Sequence, residues 1–259
     1  MAQYCFSSPH PWIKGFQLPA EYSERFFDIQ ISFARRIAAI MSLPLTETVL
    51  SHTAIYKILG HSGEFDGNDP VWSSYVQGLG DERHDTAWTY YTYRERYDKI
   101  PKFTDSPYWG CFAYHYLAQH QVVKLHFSNQ DISGLSPLSL ERRSVRLAEL
   151  HAMFTHIKRA HPQAVNVAGG SWLYNWDAYR RLFPSAYRQS VRPELPRFQF
   201  RSLWGQFLRR DGEVREEPAT HFMQRVGGLH AAGDAATCFP FQVLAAQGDL
   251  RDFFAYYNV

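Results

Sequence analysis

The chain has 259 residues, 45% of them hydrophobic and 16% aromatic, with a formal net charge of +2 and three cysteines. That length and apolar content suit one sizeable globular unit, and the near-neutral balance, with no single clustered basic face, argues against nucleic acid as a partner. An odd cysteine number at long spacings without CxxC argues against a disulfide framework and a zinc ribbon, and no run approaches the ~18 apolar residues of a membrane span.

Met1 to Lys14 carries two prolines and no apolar run, so no signal peptide is predicted and a reducing, cytoplasmic setting is expected. From Ala20 to Met41, Phe26, Phe27, Ile29, Ile31, Phe33, Ile37 and Ile40 recur at helical spacing, and Pro44 stops the helix. Thr46, Glu47 and Thr48 open a second helix, predicted to run to Leu59 before Gly60. His61 to Pro70 reads as a turn, Pro70 to Leu79 as a short helix with proline in its first turn, and Gly80 to Asp85 as a solvated loop.

Near Ile100-Pro101-Lys102 the period changes. Trp109 to Leu117 and Gln121 to Phe127 predict the two strands of an antiparallel hairpin. A loop from Ser128 to Ser139 leads into the clearest helix, Leu140 to Ala160, with Val145, Leu147, Leu150, Met153, Phe154 and Ile157 on its apolar stripe. Ala164 to Ala168 predicts a strand ending in Gly169-Gly170. Asn175 to Phe183 predicts a helix stopped by Pro184, Arg197 to Leu208 a strand or irregular aromatic segment, and Phe253 to Val259 a terminal strand. The sum is a single α+β domain, in which a helical N-terminal half (about residues 1–100) packs on a mixed β-sheet in the C-terminal half (about 101–259).

The unit from Val122 to Leu182 carries the first chemical signal. A loop between a strand and a helix offers free backbone N–H groups and the positive end of a helix dipole, a combination that holds phosphates. Gly134 and Ser136 lie in that loop, Ser139 suits an N-cap, and Arg142 and Arg143 fall in the predicted first turn. A plain capped helix after a surface loop is the competing reading. The strand–loop–helix–strand–helix order, Leu125-His126-Phe127, Leu138-Ser139, Gly170-Ser171-Trp172-Leu173 and Leu182-Phe183-Pro184 with Arg197-Phe198-Gln199-Phe200 are similar to the cofactor half of GNAT-like acyl-CoA N-acyltransferases. The resemblance covers roughly the last 140 residues and rests on short strings. The pyrophosphate signature of that superfamily is absent from the loop, with Gln224-Arg225-Val226-Gly227-Gly228 a near match farther on.

The resemblance implies transfer of an acyl group from acyl-CoA, or another acyl thioester, to a small amine or hydroxyl acceptor. His126 is then the general base. Ser171 and the N–H groups of Gly169 and Gly170 bind the oxyanion or carbonyl, Tyr174 or Tyr179 protonates the departing thiolate, and Trp172, His115 and Glu64 belong to the substrate pocket. A satisfied strand histidine, an N-cap serine and a core tryptophan are the competing readings of His126, Ser171 and Trp172.

If the hairpin turns at Gln119-His120, His115 and His126 share a face one diagonal step apart, the start of a metal or histidine-dependent site if a carboxylate joins them. His-Glu-x-x-His is absent, and no metal is predicted. No Gly-x-Ser-x-Gly elbow is present, and Cys111 and Cys238 read as buried and inert. Three function classes stand: an acyltransferase, a metal- or His-dependent small-molecule enzyme, and a non-catalytic binding domain on an enzyme-like fold.

Overall fold

The computed structural model describes residues 21–61, 65–98, 108–131, 133–193 and 201–259. Glu64 and the string Arg197 to Phe200 lie outside the described residues.

Helix α1 (Glu24–Met41) is apolar on two sides because it stands between two cores. Phe26, Ile29, Phe33 and Ile37 face one cluster with Trp204, Phe207, Phe222 and Phe239. Phe27, Ile31 and Ala34 face another with Tyr56, Trp72, Tyr75 and Tyr93. Buried Gln30 ties the next corner to α1, donating to the Phe26 carbonyl at 3.0 Å and accepting from the Ala54 N–H at 2.8 Å. The helix predicted to reach Leu59 is two, α2 (Leu45–His52) and α3 (Ile55–Ile58). Thr53 breaks it: the residue is extended, and its hydroxyl donates to Val49 and accepts the Ile55 N–H. That is the local competition by which threonine ends helices.

Helix α4 (Pro70–Gln77) begins as the sequence indicates, with Asp69 accepting the N–H groups of Val71 and Trp72. Helix α5 (Asp85–Arg96) follows where a polar loop was expected to end. Its first residue is buried, and the Asp85 carboxylate takes Arg35 at 2.6 Å and the Gly80 N–H at 2.8 Å. The acidic string is therefore an anchor on α1.

The hairpin strands are β1 (Phe112–Leu117) and β2 (Val122–Phe127), with His115 opposite Lys124 and Ala113 opposite His126, the register expected for a turn at Gln119-His120. Helix α6 (Arg143–Ala160) crosses to β3 (Asn166–Ser171), parallel to β2. Short helices α7 (Asp177–Arg180) and α8 (Ser185–Gln189) precede the two-residue strand β4 (Arg192–Pro193). A 3-10 segment at Arg201–Phe207 stands where a strand or an irregular aromatic segment was expected. Helix α9 (Glu216–Gly227), strand β5 (Leu244–Asp249) and helix α10 (Leu250–Tyr257) complete the order. The fold is α+β, with a mixed sheet of order β1-β2-β3-β5-β4.

The terminal strand expected over Phe253 to Val259 is instead α10. Leu250, Phe253 and Tyr257 recur at helical spacing and bury against α6, and Asp249 caps the helix through the Arg251 N–H. The core packed on the inner sheet face includes Val123, Leu125, Val167, Met153, Phe154 and Phe253. The α1 cluster and the sheet cluster share one ring, Trp172. Among the described residues no helix is long and apolar enough to cross a membrane.

Candidate functional site

Strands β2 and β3 are paired only from Val122↔Asn166 to Lys124↔Ala168. Beyond that point β2 stays on β1 as far as Phe127, and β3 stays on β5 as far as Ser171. The parallel pair therefore parts, leaving the facing edges of residues 125–127 and 169–171 without a ladder between them. A cleft of about 800 Å³ opens at these carboxyl ends, a size and position suited to a small-molecule ligand.

One wall is built from His126, Phe127 and the loop from Ser128 to Leu138. The strand end supplies Gly170, Ser171 and Trp172, with Tyr174, Trp176 and Tyr179 behind them. Tyr22 and the turn that carries Arg209, Arg210 and Arg215 also line the cleft. Of the residues expected in a site, His126, Ser171, Tyr174, Tyr179, Gly134, Ser136 and Trp172 line this one cleft. His115, Ser139, Arg142 and Arg143 do not line it, and Glu64 is outside the described residues.

His126 stands on the outer face of β2, two residues from Lys124 and one diagonal step from His115. Partial burial, then the charges of Lys124, His115 and Lys57, hold its pKa below the ordinary 6.5. A neutral imidazole at pH 7 is able to accept a proton. His115 lies farther along β1, and both histidines are exposed by surface area, so the burial felt by His126 is that of the neighbouring cleft wall. Among the described residues no group of three His, Cys, Asp or Glu is arranged to hold a metal.

Ser171 is extended and caps the 3-10 turn Trp172–Asn175, accepting the Leu173 N–H at 3.1 Å. Trp172 meets Trp176 edge-on and stacks on Phe241, closing the cleft floor. The tyrosines form a buried knot. Tyr174 and Tyr187 share a hydroxyl hydrogen bond of 2.7 Å, and Tyr179 lies edge-on to Tyr174. Burial first, then the neighbouring phenols, raises Tyr174 and Tyr179 well above the usual value. Gly169 makes room for the knot: a Cβ there would overlap the Tyr174 hydroxyl and lie 2.6 Å from that of Tyr187.

The loop is held from below by charge. Asp131 accepts Arg142 at 2.7 Å and Arg146 at 3.0 Å, and Arg146 also reaches Glu149 at 2.8 Å. Burial raises the Asp131 carboxyl, but Ser133, Arg142 and Arg146 outweigh it and draw its pKa down to about 2. Arg142, expected to face a ligand phosphate, is thus engaged beneath the loop. Helix α6 begins at Arg143 rather than Leu140, so Ser139 stands a full turn before it and is not its cap. Glu149 also accepts the Cys111 N–H at 3.0 Å, and burial pushes the Cys111 thiol up to about 11, an inert value.

Neither Asp131 nor Arg215 is expected in a site from the sequence, and Arg209-Arg210 reads with the other arginine pairs, most of them as solvated helix faces. Nothing local shows that the chain returns that pair to the ends of β2 and β3. Gln224 to Gly228, the near match to a phosphate loop, forms the last turn and cap of α9. Helix C-termini carry the negative dipole end and disfavour anions. No family model, curated protein or solved structure matches the chain.

Proposed function

We propose that the chain transfers an acyl group from a thioester donor, such as an acyl-CoA, to a small amine or hydroxyl acceptor. The observation that carries the reading is the parting of β2 and β3 beside His126. Two strand edges without a mutual ladder suit an extended ligand that has amides of its own, because such a ligand pairs with backbone as an added strand does. The arm of a CoA thioester is a ligand of that kind. The succession β2, the loop from Ser128, α6, β3 and the helical turns after it supports the reading without being specific to it.

In this reading the donor arm lies between the strand ends and its carbonyl faces the Gly170-Ser171 end of β3. Backbone N–H groups there receive the developing oxyanion. His126 takes the proton from the acceptor nitrogen or oxygen as it attacks the carbonyl carbon. The C–S bond then breaks, and the sulfur leaves as a thiol with the proton returned by the imidazolium. Tyr174 has its hydroxyl bonded to Tyr187 and Tyr179 is only 2% exposed behind it, so neither is assigned the proton-donor role here.

Thermal unfolding with CoA and a series of acyl-CoAs tests binding. A ligand at about 100 times its Kd adds roughly 2.7 kcal/mol. Release of free thiol in the presence of an amine and alcohol panel tests turnover. A thioester that neither raises Tm nor is consumed, across the series, refutes the proposal.

A further inference from the structure

We infer that the cleft holds the phosphate groups of its ligand on Arg209, Arg210 and Arg215. The inference rests on the thioester reading only in naming the ligand that brings the phosphates.

The charge of the cleft is one-sided. Among its lining residues the acidic side chain is Asp131, and it is neutralised from below by Arg142 and Arg146. Against it stand three guanidinium groups. Arg209 is paired with Asp211 at 3.1 Å. Among the described residues, no acid pairs with Arg210 or Arg215, and both are exposed. Unpaired arginines on a concave wall raise the local concentration of anions, and their planar forks match phosphate oxygens.

The arginines are also held in place. Their turn is a small hairpin: Leu208 bridges Val214, the Arg209 N–H donates to the Glu213 carbonyl at 2.7 Å, and the Arg215 N–H donates to the Phe207 carbonyl at 2.8 Å. Gly212 turns the tip with φ +84°, and its carbonyl accepts the Ser23 N–H. Phe207 and Val214 are buried in the α1 cluster, so the hairpin backbone is anchored on a core and only the arginine side chains are left to order around a ligand. The loop after β2 offers Ser128, Asn129, Gln130 and Ser136. A phosphate in this cleft has both cations and hydrogen-bond donors among the residues that line it. This location differs from the start of α6, where Arg142 is already bound to Asp131.

The test compares binding of CoA, pantetheine and inorganic diphosphate to the full chain, with Arg210→Gln/Arg215→Gln and Arg143→Gln as variants. The inference expects CoA and diphosphate each to lose at least about 30-fold in affinity in the double variant. Pantetheine, which has no phosphate, binds wild type and double variant alike, and Arg143→Gln changes nothing. Unchanged Tm in the double variant shows that the fold is intact. Diphosphate binding that needs the two arginines, without any CoA binding, keeps this inference and removes the thioester reading. CoA and pantetheine that bind wild type equally, and the double variant equally, keep the thioester reading and overturn this inference. Loss of diphosphate in Arg143→Gln, with the double variant unaffected, overturns it in favour of the α6 start. No binding of diphosphate or CoA to wild type overturns it as well.

Discussion

Asp131→Asn removes one carboxylate from a buried network and leaves its partner behind. Arg146, only 2% exposed, then retains Glu149 at 2.8 Å as its acid. Stranding a buried charge costs about 3–5 kcal/mol. Because Glu149 remains and an asparagine can keep the Ser133 N–H bond, the expected loss is at the lower end, about 3 kcal/mol. For a chain of this size that is a Tm drop of about 6–12 °C, read by circular dichroism at pH 7. The acid limb supplies a second readout. The folded Asp131 carboxyl titrates at about 2 against an ordinary 3.8, so its stabilisation is complete above the ordinary value and drains away as pH falls toward 2. Glu149, raised chiefly by burial and in part by the Asp131 charge, works in the opposite sense, so the difference between wild type and variant reports Asp131 together with the relief of Glu149. A Tm loss below about 2 °C, or an acid limb identical in the two proteins, would refute the view that this network anchors the cleft loop.

Three further outcomes follow from the same geometry. His126→Gln should lower kcat by about 10²–10⁴-fold with acyl donor and acceptor saturating, and the wild-type rate should fall on acidification with a midpoint below 6.5, because burial and nearby cations depress this imidazole; an unchanged rate removes His126 as the base. Gly169→Ala should destabilise by about 1–3 kcal/mol through overlap with the Tyr174 hydroxyl, and Tyr174→Phe should recover part of that loss in a double-mutant cycle in urea; strict additivity refutes the packing argument. Gly110→Ala meets both a φ of +58° and the Glu149 carboxylate, so a loss of at least about 1 kcal/mol is expected, with faster labelling of Cys111 by a thiol reagent; a Cys111 no more reactive than in wild type counts against Glu149 as its shield.

The hairpin, its register and α6 were legible in sequence because each is set by contacts within one segment. Val123 and Leu125 alternate with Lys124 and His126, and the turn at Gln119-His120, the condition for a shared histidine face, sets the first pair opposite Tyr116 and Tyr114. Helix α10 was not legible, because Phe253 and Tyr257 have strand-like propensities that yield to burial against Phe154. Strand β5 was missed for a related reason: Leu244 to Asp249 is small and polar, and its pairing to β3 is a long-range fact. The candidate site divides the same way. His126, Ser171 and Trp172 lie at the ends of strands that are local in sequence, and they do line one cleft. Arg210 and Arg215 reach it only because the hairpin at Leu208–Val214 is anchored on the core around α1.

That division places the cleft at a seam. Its strand ends and loop belong to the core beneath the sheet, its arginine turn belongs to the core around α1, and Trp172 packs into both. A ligand bound across the seam touches both bodies of buried side chains and stabilises them together, since it binds the arrangement in which both contribute to one cleft. Destabilising either core should therefore weaken the ligand even where no contact residue changes. Phe154→Ala acts on the sheet side and Phe222→Ala on the α1 side, and neither residue lines the cleft. If the walls form one site, each variant should show weaker CoA binding together with a lower Tm, and saturating CoA should recover part of both Tm losses. Recovery confined to the sheet-side variant would mean that the arginine wall contributes nothing to binding, and the ligand would then be held by the strand ends alone.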